Sequence, residues 1–508
     1  MILLLFSAVW LAYSIYLPLG RDHGIFAWIG STILAGGLPY KDAWDVKGPL
    51  VGAVFALYLT LFGGDEISVR IGDTFFWIAT AAIGYSAYRR WGVRVGYSAI
   101  GVAIMLLAPS GNYWVVGQPD AWVGLLCIII LLAASEPNPS SRTDYLYAGV
   151  AIGLAALIKP LYAVFALPLV LPFIFRRKDS SPNAQYVITT IVGCSLVWAV
   201  VLVALQFANA ITPFFDAFVI FNIVEHVGRH DRTLEEALEA ITKDLFSDDT
   251  FSKSIVIIGG SYLVYKHNPQ RGLAFLLTIT CAYLSAVIQQ KWYQYHFLPF
   301  NMLLGLLVGI SLEAARHVTT HLPRCRIPDL LVASAVLLSS AHVAWTRIEP
   351  TLETILLISK HKQDGSDLGK EFVFNRGSFS YQQTKEVALY IKQTVPQDRT
   401  IYLWGFDAMI YFLSERRSAS RFGYNYPLIA TNNKFAALKR NELMKSLTDF
   451  PPAAIVVQAH DANNLYKRSS KELLEEFPEL KNFIHSHYRQ SFKNLRFAVY
   501  IANTEPNW

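Results

Sequence analysis

From residue 1 to residue 346 the chain is a succession of apolar runs, at about 1–19, 67–88, 95–113, 120–134, 145–158, 160–175, 185–206, 252–265, 271–288, 296–314 and 328–346. A bilayer core is crossed by about 20 apolar helical residues, and most of these runs approach that length. In water they would all have to be hidden from solvent, yet charged residues are only 16% of the chain, against about 25% in a soluble domain. The runs are continuous rather than alternating, which argues against a transmembrane β-barrel. Disorder, a collagen-like fibre and a disulfide scaffold are excluded by the same composition. The expected fold class is a polytopic α-helical membrane protein with about eleven transmembrane helices and a small C-terminal α/β domain.

Charge placement orients the runs. Arg89, Arg90, Arg94, Arg142, Arg176, Arg177, Lys178, Lys266, Arg271, Arg316, Arg324 and Arg326 fall in one set of short loops. The positive-inside rule places those loops in the cytoplasm, and it explains the net charge of +6 without nucleic acid. Asp22, Asp42, Asp45, Asp120, Glu225 and the stretch 207–251 then face the periplasm or an equivalent outer compartment. The expected location is a bacterial inner membrane. The first run has no basic start and no clear small-residue cleavage site, so it reads as a retained helix rather than a signal peptide. The run 50–62 is too short to cross, and a crossing there would place Arg89 and Arg90 outside. It is expected to lie along or dip into the outer interface. Cys127, Cys194, Cys281 and Cys325 form no CxxC pair, so neither a zinc knuckle nor a disulfide framework is indicated.

After residue 346 the composition turns polar. Segments 400–404, 453–457 and 497–501 read as strands, and 382–394 and 470–477 as amphipathic helices, the second ended by Pro478. The expected division is a membrane module, 1–346, with outer loops 21–66 and 207–251, and a soluble outer domain, 347–508. Residues 375–378, Asn-Arg-Gly-Ser, read as a linker turn. Trp404 and Tyr411 read as core residues in preference to a sugar platform.

Five polar clusters remain, all on the outer side. The first loop holds Asp22 and His23, then Asp42, Asp45 and Lys47. Asp120 opens a span, where an N-cap role alone would account for it. Lys159 sits inside a long apolar stretch, where an ionisable group is either paired, functional or snorkelling to the interface. Asp120 and Lys159 fall at the same end of their spans and are potential partners. Glu225, His226, Arg229 and His230 lie in the long outer loop, where a surface helix explains the histidine spacing as well as a metal site does. Lys291, Trp292, Tyr293 and Tyr295 form the last cluster, and an aromatic belt explains the rings better than the lysine. No GxSxG elbow, GxxxxGK[ST] loop or GxGxxG loop occurs.

In order and approximate spacing these motifs resemble, over residues 15–300, the polytopic glycosyltransferases of the GT-C fold that use lipid-phosphate-linked sugars. Protein O-mannosyltransferases and the lipid A aminoarabinose transferase are of this kind. The resemblance implies that Asp22 is the catalytic aspartate, with Asp45 and Asp120 as further acidic site residues. It implies that Lys47 contacts the carrier phosphate, assisted by Lys159, His226, Arg229, Lys291 and Tyr295. Asp45, Glu225 and His226 are the candidates should a divalent metal ion bind; no cofactor is otherwise called for. Two features depart from the family's pattern. His23 follows Asp22 where an acid is common, and Val46 separates Asp45 from Lys47. The implied activity is transfer of a hexosyl or pentosyl unit from a polyprenyl-phosphate carrier to a hydroxyl of an envelope glycan, lipid or protein, with Asp22 as general base. An O-antigen ligase or polymerase using a pyrophosphate-linked donor is the nearer alternative. A secondary transporter is the remoter one, because matched internal repeats are missing.

Overall fold

The structure is a computed structural model that describes residues 1–136, 142–175, 183–227, 234–245, 248–320, 327–371, 373–374, 378–430, 432–463 and 466–503. The helices, in chain order, are α1 (Ile2–Ser14), α2 (Arg21–Leu34), α3 (Pro49–Phe62), α4 (Glu66–Arg90), α5 (Val95–Leu106), α6 (Pro119–Ala134) and α7 (Arg142–Ile158). A 3₁₀ stretch, Pro160–Val170, leads into α8 (Leu171–Ile174), and then come α9 (Asn183–Phe207) and α10 (Ile211–Phe214). Wider π-type turns run over Phe215–Val227, before α11 (Leu234–Leu245), α12 (Asp248–His267), α13 (Pro269–Val287), α14 (Leu298–Thr320) and α15 (Ile327–Asp364). Two compact units result. One comprises Met1–Leu17, Arg70–Leu202 and Arg232–Lys360; the other comprises Pro18–Val69, Val203–Asp231 and His361–Trp508.

The first unit is all helix, and α14 is its centre: 89% of its most apolar window is buried, against 6% for α9. Helices α5, α6, α12 and α13 pack around α14. Where α5 crosses it, the Tyr88 hydroxyl donates to the Gly305 carbonyl at 3.1 Å and the Leu306 carbonyl at 2.8 Å. A side chain at Gly305 would sit 2.7 Å from the Met105 nitrogen, so only glycine allows this approach. Helix α9 presents Ile188, Ile191, Leu196 and Val200 outward, an apolar face suited to lipid. Among the described residues four helices are long and apolar enough to cross a membrane, or five if α3 and α4 count as one bent span. Helix covers part of every apolar run read from the sequence, but an eleven-span count is not reached on length and composition.

Local departures have local causes. The 160–175 run forms 3₁₀ turns in place of regular α-helix, because Pro160, Pro168 and Pro172 each remove an N–H from the ladder. Helix α5 stops at Leu106, short of the expected residue 113, ahead of Pro109 and a left-handed Gly111. The run 50–62 is the separate helix α3. Gly63 and Gly64, both at positive φ, end it, and the chain turns through 106° into α4. At the basic ends, Arg90 pairs with Asp144 at 2.7 Å, Arg271 with Glu136 at 3.0 Å, Arg316 with Glu313 at 2.9 Å, and Lys266 with Asp329. Arg176, Arg177, Lys178, Arg324, Cys325 and Arg326 lie outside the described residues.

The second unit is built on a four-stranded sheet. Its strands are β3 (Ile401–Trp404), β4 (Ala454–Gln458), β5 (Tyr488–Lys493) and β6 (Phe497–Ala502); a two-stranded β1 (Val373–Phe374) and β2 (Phe379–Ser380) precedes it. The order is β3-β4-β6-β5, with β3 and β4 parallel and the other pairs antiparallel. Helices α16 (Tyr381–Thr394), α17 (Met409–Ser414), α18 (Asn433–Asp449), α19 (Ser470–Leu474) and α20 (Pro478–His487) flank it. Trp404 and Tyr411 are core residues, as the sequence suggested. Pro478 opens α20 rather than merely ending its predecessor, since proline fits the first turn of a helix. Helix α15 runs unbroken past residue 346, and α2 and α3 group with the C-terminal sheet; both findings differ from a division at 346/347. Of the expected linker turn 375–378, residues 375–377 lie outside the described residues.

Candidate functional site

Helix α2 begins at Gly20, whose backbone N–H donates to the His23 Nδ1 at 3.0 Å. That cap fixes the first turn, where Asp22 stands half-buried. Asp22 makes no hydrogen bond or ion pair with the described residues, so both carboxylate oxygens keep lone pairs for a proton. Its position rests on close packing: a side chain at Gly24 would collide with the Met409 backbone, and Trp28 stacks on Tyr411 at 5.3 Å. Arg21, beside Asp22, lies 5.7 Å over the Phe406 ring.

The loop from Pro39 to Gly48 is pinned from several directions. Tyr40 adopts a left-handed backbone, φ 67°, and its hydroxyl donates to the Lys47 carbonyl at 2.7 Å. Arg421 donates to the Tyr40 carbonyl at 3.1 Å, and the Trp44 N–H donates to the Arg421 carbonyl at 2.8 Å. Asn222 Nδ2 donates to the Val46 carbonyl at 3.0 Å. Asp45 is consequently buried, accepting the Tyr424 hydroxyl at 2.7 Å and its neighbour Val46 N–H at 2.8 Å. Burial pushes the Asp45 carboxyl above its ordinary range, against the pull of Tyr424 and of the Lys47 charge. Tyr424 also feels the Asp22 charge, so one phenol stands near both carboxylates. The Lys47 ammonium is half-buried and makes no hydrogen bond or ion pair with the described residues.

Tyr424 is the residue that sequence reasoning missed. It belongs to the C-terminal sheet region, and no motif announced it. Its backbone is held through Asn425, which accepts the Gly405 N–H at 3.0 Å and donates to Ser470 Oγ at 2.9 Å. Ser470 in turn donates to Asp461 from its N–H at 2.7 Å and from Oγ at 2.6 Å. Asp407 accepts from Thr384 and is fully buried. Burial pushes its carboxyl up to about 6 despite the charges of Arg21 and Arg496. Asp407 and Asp461 thus stand at the carboxyl ends of the adjacent parallel strands β3 and β4, within electrostatic reach of Arg21.

Glu225 is buried and accepts from the Tyr466 hydroxyl at 3.4 Å. His226 lies in the π-type turns, and Arg229 and His230 lie outside the described residues. Among the described residues no three His, Cys, Asp or Glu side chains converge as metal ligands. The metal candidates Asp45 and Glu225 are each engaged by a tyrosine instead.

The other acid–base group lies wholly in the helical unit. Asp120, in the first turn of α6, is fully buried. Its Oδ1 accepts the Lys159 ammonium at 2.6 Å and the Tyr162 hydroxyl. Lys159 also donates to Gln289 Oε1 at 3.3 Å and lies 5.8 Å from the Tyr295 ring. Lys159 therefore finds the aspartate that the sequence pointed to. Lys291 stands half-buried in the loop between α13 and α14, and Tyr295 is buried at its end.

Apolar helices with loop carboxylates and a small sheet domain form the class of architecture that the motif resemblance implied. Comparison with known proteins gives that class its particulars. Residues 46–205 match the family described as "Dolichyl-phosphate-mannose-protein mannosyltransferase", a stretch that contains Lys47, Asp120 and Lys159. Residues 381–502 match the family described as "Putative competence-induced protein Ccs4 C-terminal domain". Among solved structures, ArnT from Cupriavidus metallidurans bound to undecaprenyl phosphate is similar at a TM-score of 0.59 and 14% identity, covering 99% of this chain and 97% of that one. Its apo form is similar at a TM-score of 0.58 and 15% identity, covering 98% and 97%. No curated protein sequence matches. The chain has the ArnT-like GT-C fold along nearly its whole length, and the resemblance carried by the motifs is met.

Proposed function

We propose that this chain is a membrane glycosyltransferase that moves one sugar from a polyprenyl monophosphate to a hydroxyl acceptor on an envelope glycan, lipid or protein. The reaction would take place at the periplasmic face of a bacterial inner membrane. The observation that carries the reading is the GT-C fold shared with a protein bound to undecaprenyl phosphate, joined to an aspartate held in a rigid helix start with its oxygens unengaged by the described residues.

The chemistry follows from those residues. Outside the cytoplasm no nucleotide is at hand, so the sugar–phosphate bond supplies the driving force. The acceptor hydroxyl attacks the anomeric carbon while Asp22 takes its proton, a role commonly worth about 10²–10⁴-fold. The bond from the anomeric carbon to the phosphate oxygen breaks, and the polyprenyl phosphate leaves as an anion. It needs positive charge more than a proton, and Lys47 supplies this, with Arg229 and His226 as further donor contacts. Tyr424 holds Asp45 beside Lys47 and keeps the phosphate-binding loop in one shape. Asp120 and Lys159 act through each other, fixing α6 against the turns after α7. A single displacement inverts the sugar configuration. A retaining route needs a carboxylate nucleophile, for which Asp42 and Asp45 are the candidates. Asp42 is occupied by the Leu38 N–H at 2.7 Å and Asp45 by Tyr424, so inversion is favoured.

The test is to give the purified protein two donors, a polyprenyl-monophosphate sugar and a pyrophosphate-linked oligosaccharide. Turnover of the monophosphate donor alone supports the proposal. Turnover of the pyrophosphate donor alone would assign the O-antigen ligase or polymerase reaction instead.

A further inference from the structure

Helix α2 turns one face to the C-terminal sheet. Arg21, Gly24 and Trp28 follow the i, i+3, i+7 spacing that puts side chains on one side of a helix. All three meet the segment that follows β3. Arg21 lies 5.7 Å over the Phe406 ring, a Cβ at Gly24 would stand 2.9 Å from the Met409 Cα, and Trp28 packs on Tyr411 at 5.3 Å. Asp22 comes directly after Arg21, about 100° further round the helix. A contact that fixes Arg21 therefore also fixes the direction in which the Asp22 carboxylate leaves the helix.

Arg21 faces a buried assembly of charges. Asp407 and Asp461 stand at the carboxyl ends of β3 and β4, and Arg496, just before β6, feels the charge of both. All three are buried, and each is held from the sheet side. Asp407 accepts from Thr384 and donates from its N–H to Gln458 Oε1 at 3.2 Å. Asp461 accepts the Ser470 N–H at 2.7 Å and Oγ at 2.6 Å, and Arg496 donates to the His460 carbonyl at 3.0 Å. Gln458 Oε1 also accepts the Phe406 N–H at 2.7 Å, so the backbone beneath the ring that Arg21 covers is tied to β4. The Arg21 charge acts on both aspartates. Two carboxylates thus meet two guanidiniums, and of the four only Arg21 comes from outside the C-terminal segment.

The negative charge of Asp407 does not serve the fold. Burial pushes its carboxyl up to about 6, so above that pH its ionisation weighs against folding, and a neutral residue of the same shape would suit the core at least as well. What the ionised form offers is attraction for Arg21. We propose that Asp407 and Asp461 are positioning residues for sugar transfer, clamping Arg21 and through it the first turn of α2, so that Asp22 keeps one orientation toward the acceptor hydroxyl. The inference rests on Asp22 being the general base. Neither buried acid touches substrate; both act through Arg21, and the C-terminal sheet becomes a working part of the reaction centre.

The detergent-solubilised full chain near neutral pH tests this in two ways. Hydrogen exchange read by mass spectrometry needs no donor. Asp407→Asn and Arg21→Met are each expected to raise exchange in the first turn of α2 about tenfold, the effect of losing a charge-assisted contact, while α18 stays as protected as in the wild type. The double variant should exchange no faster than either single one, because both changes remove the same contact. With a polyprenyl-monophosphate sugar as donor, the single variants should lower kcat about tenfold or more and leave KM for the donor within about threefold. Unchanged exchange at α2, an equal rise in α18, or additive effects in the double variant would overturn the clamp. Wild-type kcat in both single variants would overturn the positioning role. Asp461→Asn carries the same expectations and keeps the test decisive if Asp407→Asn does not fold. An inactive wild-type chain would instead end the glycosyl-transfer reading, with the clamp still judged by exchange.

Discussion

Asp120 and Asp22 both stand in the first turn of a helix, and their surroundings differ in every other respect. Asp120, in the helical unit, is fully buried and engaged by Lys159 and Tyr162. Asp22, in the unit that carries the sheet, is half-buried and touches no donor among the described residues. The difference teaches what burial does to a carboxylate. A charge without water must be paid in hydrogen bonds, and a carboxylate so satisfied is a strut. A carboxylate held rigidly by its helix but left unsatisfied is able to accept a substrate proton. Asp45 lies between these extremes, buried and yet held by one phenol.

The contrast is broken most forcefully at the strut. Lys159→Met leaves Asp120 as an uncompensated buried charge, with an expected loss of about 3–5 kcal/mol, read as unfolding of the detergent-solubilised chain. Replacing both partners by apolar residues of similar volume should recover most of that loss. Failure of the double variant to recover would mean that the pair does more than brace the helices.

The next effect is in the sheet unit and depends on pH. Asp407 titrates at about 6 when folded, above the usual aspartate value, because it is buried. The folded chain therefore holds this proton more tightly than the unfolded chain. The associated stability is fully present below about pH 4 and is lost as pH rises through 6, a change of about 3 kcal/mol. Asp45 and Asp461, also raised by burial, act with the same sign. Asp407→Asn should flatten the fall between pH 4 and 6, measured by thermal unfolding across that window.

Smaller effects sharpen the picture of the loop. Lys47→Ala should weaken binding of a polyprenyl phosphate about tenfold or more, the worth of a charge-assisted contact, by direct titration. Tyr424→Phe removes one hydrogen bond to Asp45, and the expected cost is about 1 kcal/mol in unfolding free energy. Tyr424→Phe should also loosen the phosphate-binding loop and weaken donor affinity, by less than Lys47→Ala does.

Much of this was legible in the sequence, and the remainder was hidden for physical reasons. Apolar runs announce buried or lipid-facing helices because the period and length of a helix leave few alternatives. An intramembrane lysine announces a partner because a lone charge there is expensive, and Asp120 answered for Lys159. Strand β5 was not legible: its sequence, Tyr-Arg-Gln-Ser-Phe-Lys, is mostly polar because it is a largely exposed edge strand. The 160–175 run looked continuous to a hydropathy scale, which does not register missing N–H groups at its prolines. Least legible was the grouping of α2, α3 and the first outer loop with the C-terminal sheet. It depends on Arg421 and Tyr424 meeting Tyr40, Trp44 and Asp45 across nearly 400 residues, a separation at which no periodicity speaks.

The central claim is that Asp22 is left unsatisfied in order to take a proton. Its most direct test is Asp22→Asn, assayed for release of polyprenyl phosphate from the monophosphate-linked sugar and, in parallel, for donor binding. The account predicts that release falls by about 10²-fold or more while donor affinity stays within about threefold of wild type. Wild-type release from Asp22→Asn would contradict it.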